Sequence, residues 1–208
     1  MSQFFVLGWG SLLWDLENLA PHVAGAWQRR AGPVLPMEFT RVSPKRRMGL
    51  VVCLDARHGV GCATHAIASR RDRIEEVAAD LAARERAADR HIGRVCLATD
   101  AAAGASAEVI DAVAAWCRAT GRRGAVWTDL PSNFAEHLGE PFSVPRALSY
   151  LRGLAGENLD EAVRYIESAP AETDTPLRRH LATDPWWRAE AARVAGFSSA
   201  TGAGAAPG

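Results

Sequence analysis

The chain has 208 residues, which is enough to bury a core within a single domain. Its 24 basic and 24 acidic residues balance at pH 7, and the lack of a basic excess argues against a dedicated nucleic-acid-binding protein. The N-terminal apolar run of about seven residues follows no basic stretch and is too short for a signal peptide or a membrane span, so we expect a cytoplasmic protein without a membrane partner.

The first predicted element is a strand followed by a glycine-flanked turn, FFVLGWGSLLW, at residues 4–14. Its first four residues are all apolar, which is typical of a strand buried on both faces. Gly8 and Gly10 flank Trp9, and glycine permits unusual dihedrals and the close approach of a ligand. Together with the Ser11 hydroxyl, the free N–H groups of this turn predict a cradle for an anion or an oxyanion. The alternative is an ordinary tight turn whose tryptophans belong to the core.

The remaining elements follow from hydrophobic periodicity and from turn residues. We predict strands at 3–9, 34–43, 49–56, 60–68, 92–98 and 124–128, and helices at 72–89 and 105–120. The later part of the chain is predicted to form short helices with N-caps at Ser143, Thr175 and Asp184. This order indicates one α+β domain at residues 1–196, followed by a disordered tail at residues 197–208.

The helix predicted near Asp72 carries a carboxylate on its apolar side. Asp72 is the expected N-cap, and Glu75 completes a capping box. On a helical wheel Glu85 falls near the centre of an apolar stripe formed by Ile74, Val77, Ala78, Leu81, Ala82 and Ala88. The wheel leaves five charged residues on the solvated face, namely Glu75, Glu76, Asp80, Arg84 and Arg86.

A carboxylate directed toward the interior must be paired with a cation, be protonated or take part in the protein's chemistry, because burying it alone costs several kcal/mol or raises its pKa. Glu85 is therefore our candidate for a general base. Two alternatives stay open: the helix frays before Glu85, or Glu85 pairs with a buried arginine.

Other polar groups point less clearly to chemistry. The four cysteines have no C-x-x-C spacing and lie in mostly apolar segments, so we expect buried thiols. Cys62 and His65 form a C-x-x-H with no second pair, and we expect no metal site. The basic residues 45–47 form either a solvated hairpin tip or a phosphate site. The polar turn at 131–134 is either a binding segment or an ordinary turn in which Asn133 caps a short helix.

Four segments, in this order and spacing over residues 4–90, resemble the gamma-glutamylcyclotransferase superfamily, in particular its ChaC-like, glutathione-degrading branch. GWGSLLW at 8–14 is similar to the signature YGSLxW, and LAARE at 81–85 is similar to the segment that ends in the branch's catalytic glutamate. FTRVSPKRRMG at 39–49 resembles the stretch F-x-Q-x-S-x-D-H-R-G, and GVGCATHAIA at 59–68 lies where that branch has its C-W-G-V-A-Y strand.

The chain departs from this family pattern at three places. Trp9 stands where the family has Tyr, so any role of that hydroxyl is missing. Arg41 replaces the family's Gln, and Lys45 and Arg46 replace its Asp-His pair, which makes this side of the predicted site more basic. After Glu85 the chain reads RAADRHIG in place of K-x-G-Y.

The resemblance implies a small mixed β-barrel with surrounding helices and a helical C-terminal extension. It implies a cofactor-free enzyme, without a metal, that releases 5-oxoproline from a gamma-glutamyl amide or peptide. The substrate's own α-amine would attack its γ-carbonyl, with Glu85 moving the protons.

The implied substrate-binding residues lie in two groups. The turn would hold the glutamyl carboxylate or the oxyanion through Gly8, Trp9, Gly10, Ser11 and Leu12. Arg41, Ser43 and Arg47 would hold the part of the substrate beyond the γ-amide. Two rival functions remain: a non-catalytic small-molecule-binding module on the same fold, and a lyase or amidohydrolase that acts on a non-glutamyl compound.

Overall fold

A computed structural model of the chain describes residues 3–202, with side chains as far as residue 196. Within this range the strands are β1 (Phe4–Gly8), β2 (Val23–Gln28), β3 (Val34–Ser43), β4 (Gly49–Leu54), β5 (Val60–Ala63), β6 (His65–Ser69), β7 (Ile92–Cys96), β8 (Ala101–Ala103) and β9 (Gly124–Thr128). They form a six-stranded sheet in the order β2-β6-β1-β9-β7-β8 and a three-stranded sheet in the order β4-β3-β5. The pair β1–β9 is parallel, and the other pairs are antiparallel.

Seven α-helices complete the described range: α1 (Ile74–Glu85), α2 (Ala107–Thr120), α3 (Phe134–Leu138), α4 (Val144–Gly153), α5 (Glu157–Ser168), α6 (Pro176–Thr183) and α7 (Pro185–Gly202). Short 3-10 turns cover Ser11–Leu13, Glu17–His22, Pro44–Arg46 and Asp89–His91. The predicted N-caps are confirmed, because each side chain accepts a hydrogen bond from a backbone N–H three residues later: Ser143 from Arg146, Thr175 from Arg178 and Asp184 from Trp187.

The larger sheet is covered on both faces, which explains the unbroken apolar sequence of β1. Phe4 and Val6 face α1 in one buried cluster. Phe5 and Leu7 face the opposite side, in a cluster that includes α2 and the smaller sheet. The predicted double burial of this strand is therefore confirmed.

The α+β class is confirmed, but within residues 3–202 the strands do not close into the expected barrel. Both edges of β3 are occupied, by β4 and by β5, and no ladder joins the two sheets. The single strand predicted at 60–68 breaks at Thr64, whose N–H and hydroxyl both donate to the carbonyl of Pro33. This turn redirects the chain from the smaller sheet into the larger one.

Helix α1 is shorter than predicted. It begins at Ile74 with Arg73, not Asp72, as its N-cap, and no side chain caps it. It ends at Glu85 because Arg86 adopts a left-handed conformation, with φ 53°, and returns its N–H to the carbonyls of Ala82 and Ala83. Ala88, expected on the buried stripe, is consequently exposed.

Several further expectations concern the described range as a whole. All four cysteines are buried and free, as predicted. No cluster of three or more potential ligands for a metal occurs among the described residues. No helix there is both long and apolar enough to cross a membrane. Helix α7 continues to Gly202 and so includes the first part of the disordered tail predicted at 197–208, whereas residues 203–208 lie outside the described range.

Candidate functional site

A cavity of about 350 Å³ lies between the turn after β1, the end of α1, the β3–β4 hairpin and α5. Of the nine predicted site residues, six line it: Trp9, Ser11, Leu12, Arg41, Ser43 and Glu85. The other three, Gly8, Gly10 and Arg47, are outside the lining. The fold thus brings together side chains that are up to 76 positions apart in the sequence, from Trp9 to Glu85.

The turn after β1 depends on Gly10. Its φ of +88° and ψ of −143° belong to a region that favours glycine, and a Cβ there would lie 2.8 Å from the Tyr165 hydroxyl. The first hydrogen bond of the turn runs from Leu13 N–H to Gly10 C=O, at 3.0 Å. The N–H groups of Ser11 and Leu12 precede this bond, so neither has an acceptor within the turn.

Gly8 has a different role from the one predicted. A Cβ on Gly8 would lie 2.5 Å from the ring of Trp27, so this glycine permits the packing of an aromatic side chain against β1. Trp9 is buried and lines the cavity. At Gly10 the group that approaches the backbone closely is the hydroxyl of Tyr165, a cavity-lining residue, and Gly10 itself lies outside the lining. The contact with a ligand that was expected of both glycines is therefore not observed at either.

Arg84 was predicted on the solvated face of α1, and this prediction is wrong. Its side chain is only 1% exposed. Nη2 donates to the carbonyl of Asp15 at 2.6 Å and to the Ser11 hydroxyl at 3.3 Å. The helical wheel assumes solvent on that face, but the loop after β1 covers it and takes up the guanidinium.

Glu85 is held by this buried arginine, which is one of the alternatives that the sequence left open. Arg84 Nη1 donates to Glu85 Oε1 at 2.8 Å, and the Glu85 side chain is 14% exposed at the cavity wall. Oε2 of Glu85 has no hydrogen-bond partner among the described residues. One carboxylate oxygen is thus anchored, while the other is available to a molecule in the cavity.

Two buried polar atoms of cavity-lining residues have no protein partner in the described range: Arg84 Nε and Thr128 Oγ1. Leaving a buried donor unpaired costs about 1 to 3 kcal/mol, and few such groups occur in native proteins. Arginine donates to anionic or neutral oxygens, whereas a hydroxyl both donates and accepts. This part of the wall therefore suits a polar ligand group that bears an acceptor.

The cavity wall is strongly basic. Six cationic side chains line it, namely Arg41, Lys45, Arg46, Arg84, Arg86 and Arg90, whereas Glu85 is the one carboxylate among the lining residues described. Glu17 pairs with Lys45 at 2.9 Å and with Arg86 at 3.4 Å, and Glu161 pairs with Arg46 at 3.1 Å. The hydrogen bond from Lys45 holds the pKa of Glu17 below its usual range. Three carboxylates facing six cations leave a net positive charge, which favours an anionic ligand.

Arg47 does not belong to this wall. It has a left-handed backbone, with φ 48°, and its side chain is 55% exposed. The guanidinium pairs with Glu157 at the start of α5. The side chain of Arg47 is therefore directed away from the cavity, because Arg47 ends the 3-10 turn Pro44–Arg46 in a left-handed conformation. It does not make the substrate contact that the family resemblance implied.

Residues 131–133 hold the strand that carries Arg41 and Ser43. The amide of Asn133 accepts from Val42 N–H at 2.7 Å and donates to Val42 C=O at 3.0 Å. Arg41 Nη1 donates to the carbonyl of Pro131 at 2.6 Å. Asn133 is the N-cap residue of the short helix α3, as one of the two alternatives had it, although its side chain makes no capping hydrogen bond. Its amide satisfies the backbone of β3 instead.

Tyr165 is a cavity-lining residue that sequence reasoning missed. It lies on α5, is 7% exposed, and its ring meets Trp14 and Phe39 edge to face at centroid distances of 5.7 and 6.4 Å. Burial raises the pKa of Tyr165 well above its usual range; Arg46 opposes this shift and Glu85 adds to it. In sequence it occupies an apolar stripe of an amphipathic helix, where tyrosine normally indicates core packing, so no local signal marks it.

No model of a known protein family matches this chain, and comparison with curated proteins and with solved structures also finds no match.

Proposed function

We propose that this protein is a cofactor-independent gamma-glutamylcyclotransferase-like enzyme that releases 5-oxoproline from a gamma-glutamyl amide or peptide. The observation that supports this most strongly is the position of Glu85. Its unpaired Oε2 lines the same cavity of about 350 Å³ as the turn after β1 and the basic wall. The base and the turn are groups that the family resemblance implies, whereas the basic wall is a departure from the family pattern. We further propose that the two open sheets and their helices are a variant of that family's fold.

The proposed reaction needs no protein nucleophile. Glu85 takes a proton from the substrate's ammonium group, and the free amine attacks the γ-carbonyl carbon while the carbonyl electron pair moves to oxygen. The intermediate then collapses, the bond to the leaving nitrogen breaks, and Glu85 returns a proton to that nitrogen. A second proton passes from the attacking to the leaving nitrogen, so that the products are 5-oxoproline and a protonated amine. General acid–base catalysis of this kind contributes about 10² to 10⁴ in rate.

Cys53 is the one cysteine among the described residues that line the cavity, and its environment disfavours covalent catalysis. Burial raises the pKa of the Cys53 thiol to about 11. Its sulfur lies 3.2 Å from the Thr40 hydroxyl in a buried hydrogen bond. Because the thiolate is the reactive form, Cys53 is a poor nucleophile at neutral pH. This supports an intramolecular attack by the substrate's own amine.

The basic wall suggests which gamma-glutamyl compounds bind. Arg41, Arg90 and the neighbouring cations favour a leaving group that bears a carboxylate over a neutral or cationic amine. A charge-assisted hydrogen bond contributes about 1.5 to 3 kcal/mol, which corresponds to at least a tenfold preference. The turn of Trp9, Ser11 and Leu12 would then hold the glutamyl end or the developing oxyanion.

The experiment that tests this proposal is a screen of the purified full chain. Acidic, neutral and cationic gamma-glutamyl amides, with glutathione among the acidic ones, are incubated with the protein, and 5-oxoproline is quantified by mass spectrometry. We expect turnover that is highest for acidic leaving groups. No 5-oxoproline from any of these compounds, with a folded protein, would refute the proposal.

A non-catalytic binding module is the second candidate, and the ion pair of Glu85 with Arg84 favours it. A carboxylate that is paired with a buried guanidinium at 2.8 Å can hold a ligand and fix the shape of the cavity without transferring a proton. Saturable binding of gamma-glutamyl compounds by calorimetry, without turnover in the same solution, would support this candidate over the enzyme. Release of a product other than 5-oxoproline, from a non-glutamyl compound, would support the lyase or amidohydrolase alternative.

A further inference from the structure

The chain contains two tyrosines, and they differ in what their hydroxyl groups contact. Tyr150 donates a hydrogen bond to the carbonyl of Met48 at 2.7 Å and is not part of the cavity lining. Tyr165 lines the cavity, and its hydroxyl accepts a hydrogen bond from the backbone N–H of Val52. Among the residues whose side chains are described, no acceptor takes the proton of this hydroxyl. Tyr165 therefore keeps a donor available to a bound molecule, whereas Tyr150 has used its donor in the fold.

The Tyr165 hydroxyl lies directly against the turn after β1. A Cβ on Gly10 would be 2.8 Å from it, so no side chain other than glycine's hydrogen fits between the phenol and the turn. The N–H groups of Ser11 and Leu12, which have no acceptor within the turn, follow immediately. Ser11, Leu12 and Tyr165 all line the cavity, so the phenol and this turn border the same space although they are distant in sequence.

The ring that carries this hydroxyl is held on several sides. Trp14 and Phe39 each pack against it in a T-shaped arrangement, and the guanidinium carbon of Arg46 lies 5.5 Å from the ring centroid. Packing of this kind restricts rotation of the ring, so the hydroxyl is positioned before any ligand binds. Burial raises the pKa of Tyr165 well above its usual range. The positive charge of Arg46 lowers this pKa somewhat, and the negative charge of Glu85 raises it further. The phenol is consequently protonated, and hence a donor, at neutral pH.

We propose that Tyr165 is a catalytic residue whose hydroxyl donates a hydrogen bond to the γ-carbonyl oxygen of the substrate, beside the N–H groups of Ser11 and Leu12. This inference rests on the proposed cyclotransferase function. When the amine attacks, the carbonyl electron pair moves onto the oxygen, and the hydrogen bond from Tyr165 stabilises the resulting oxyanion. When the bond to the leaving nitrogen breaks, the pair returns to re-form the carbonyl. Tyr165 keeps its proton throughout, while Glu85 takes a proton from the ammonium group and returns one to the leaving nitrogen.

The test compares Tyr165→Phe with Tyr150→Phe as a matched control. Removing one oxyanion donor lowers kcat by about 10² to 10³ in well-studied hydrolases. We expect a loss of about 100-fold in kcat for Tyr165→Phe, with KM within about threefold of the wild type, because the donor acts mainly in the transition state. Tyr150→Phe, which loses a hydrogen bond of the fold, should lower the thermal unfolding midpoint and leave kcat within about twofold.

A second measurement does not depend on the folding of Tyr165→Phe. Biosynthetic incorporation of 3-fluorotyrosine into the Tyr150→Phe variant places fluorine on Tyr165 alone. Titration with 5-oxoproline, the proposed product, should shift the fluorine resonance in a saturable manner. A resonance that does not move at saturating 5-oxoproline would overturn the proposed contact.

The outcomes separate this inference from the function on which it rests. A wild-type protein without 5-oxoproline release removes the proposed function and the role of Tyr165 with it. An active wild-type protein whose Tyr165→Phe variant keeps kcat within about twofold removes Tyr165 from the mechanism and leaves the cyclotransferase proposal intact. Equal losses in the two Tyr→Phe variants would also overturn the inference.

Discussion

Replacing Arg84 by methionine tests whether its buried guanidinium joins the turn after β1 to the end of α1. Methionine keeps most of the length and apolar volume of the side chain and removes all of its donors. Three hydrogen bonds disappear with them: to Glu85, to the carbonyl of Asp15 and to the Ser11 hydroxyl. The perturbation is therefore confined to polar contacts.

The size of the effect follows from these contacts. Breaking a buried ion pair by removing one partner costs about 3 to 5 kcal/mol, because the remaining charge is left without compensation. Glu85 is 14% exposed at the cavity wall and can regain water there, which places the cost at the lower end. We expect the free energy of unfolding to fall by about 3 kcal/mol. In a domain of this size such a loss lowers the melting temperature by about 6 to 12 °C.

The assay is urea unfolding at pH 7, followed by tryptophan fluorescence. The midpoint should fall while the slope m stays constant, as for a pure change in stability. Arg86→Met is the matched control, because its neighbouring guanidinium is 71% exposed and lies 3.4 Å from Glu17. An exposed pair of this kind contributes at most about 1 kcal/mol. If Arg84→Met unfolds within about 0.5 kcal/mol of the wild type, the buried network does not hold the turn to the helix.

Three further predictions concern the turn, the protonation of a buried histidine and specificity. Gly10→Val should abolish 5-oxoproline release, since its Cβ meets the Tyr165 hydroxyl at 2.8 Å on a backbone with φ +88°. Burial lowers the pKa of His65 below its usual value of 6.5, although the negative charge of Glu172 opposes this shift. Below about pH 6.5 the unfolded chain therefore binds a proton at His65 that the folded chain does not bind. Stability should therefore fall from pH 7.5 to 5.5, and His65→Gln should reduce this loss in urea unfolding. Arg41→Gln should lower the ratio of kcat/KM for acidic over neutral gamma-glutamyl amides about tenfold, at low salt.

Each of these predictions has a control and an outcome that contradicts it. Trp9→Tyr changes the same turn without a steric clash and should stay active; full activity in Gly10→Val would make the turn only structural. His137→Gln alters an exposed histidine and should follow the wild type, and an unchanged pH slope in His65→Gln would show that His65 does not supply the effect. Arg47→Gln, outside the cavity, should leave the specificity ratio unchanged. The same ratio in Arg41→Gln would exclude Arg41 from substrate recognition.

Elements with strong periodicity and clear end signals could be predicted from the sequence. Strand β3 begins and ends where predicted, because a turn of Gly32 and Pro33 precedes it and Pro44 follows its last residue. Strand β2 was missed because its sequence, VAGAWQ, contains Gly25 at φ +72° and is largely exposed. Strand β8 has three alanines, too few for any periodic signal.

The candidate site could be predicted only in the parts that local sequence describes. The glycine turn and Glu85 each carry a local signal, and the family resemblance is what joined them. The burial of Arg84 depends on a loop almost 70 positions away in the sequence, so a helical wheel cannot reveal it. The contact of Tyr165 with Gly10 depends equally on tertiary packing. Residues recruited from distant helices are thus the part of a site that a single sequence conceals.

The central claim, that Glu85 moves protons in a cyclotransferase reaction, is tested most directly by Glu85→Gln. Glutamine preserves the shape of the side chain and an oxygen that accepts from Arg84, and it cannot act as a base. Glu76→Gln makes the same change on the exposed face of α1 and serves as the control. With an acidic gamma-glutamyl amide, we predict that kcat/KM for 5-oxoproline release falls at least about 100-fold in Glu85→Gln and stays near the wild-type value in Glu76→Gln. Near-wild-type turnover in a folded Glu85→Gln protein would contradict the account.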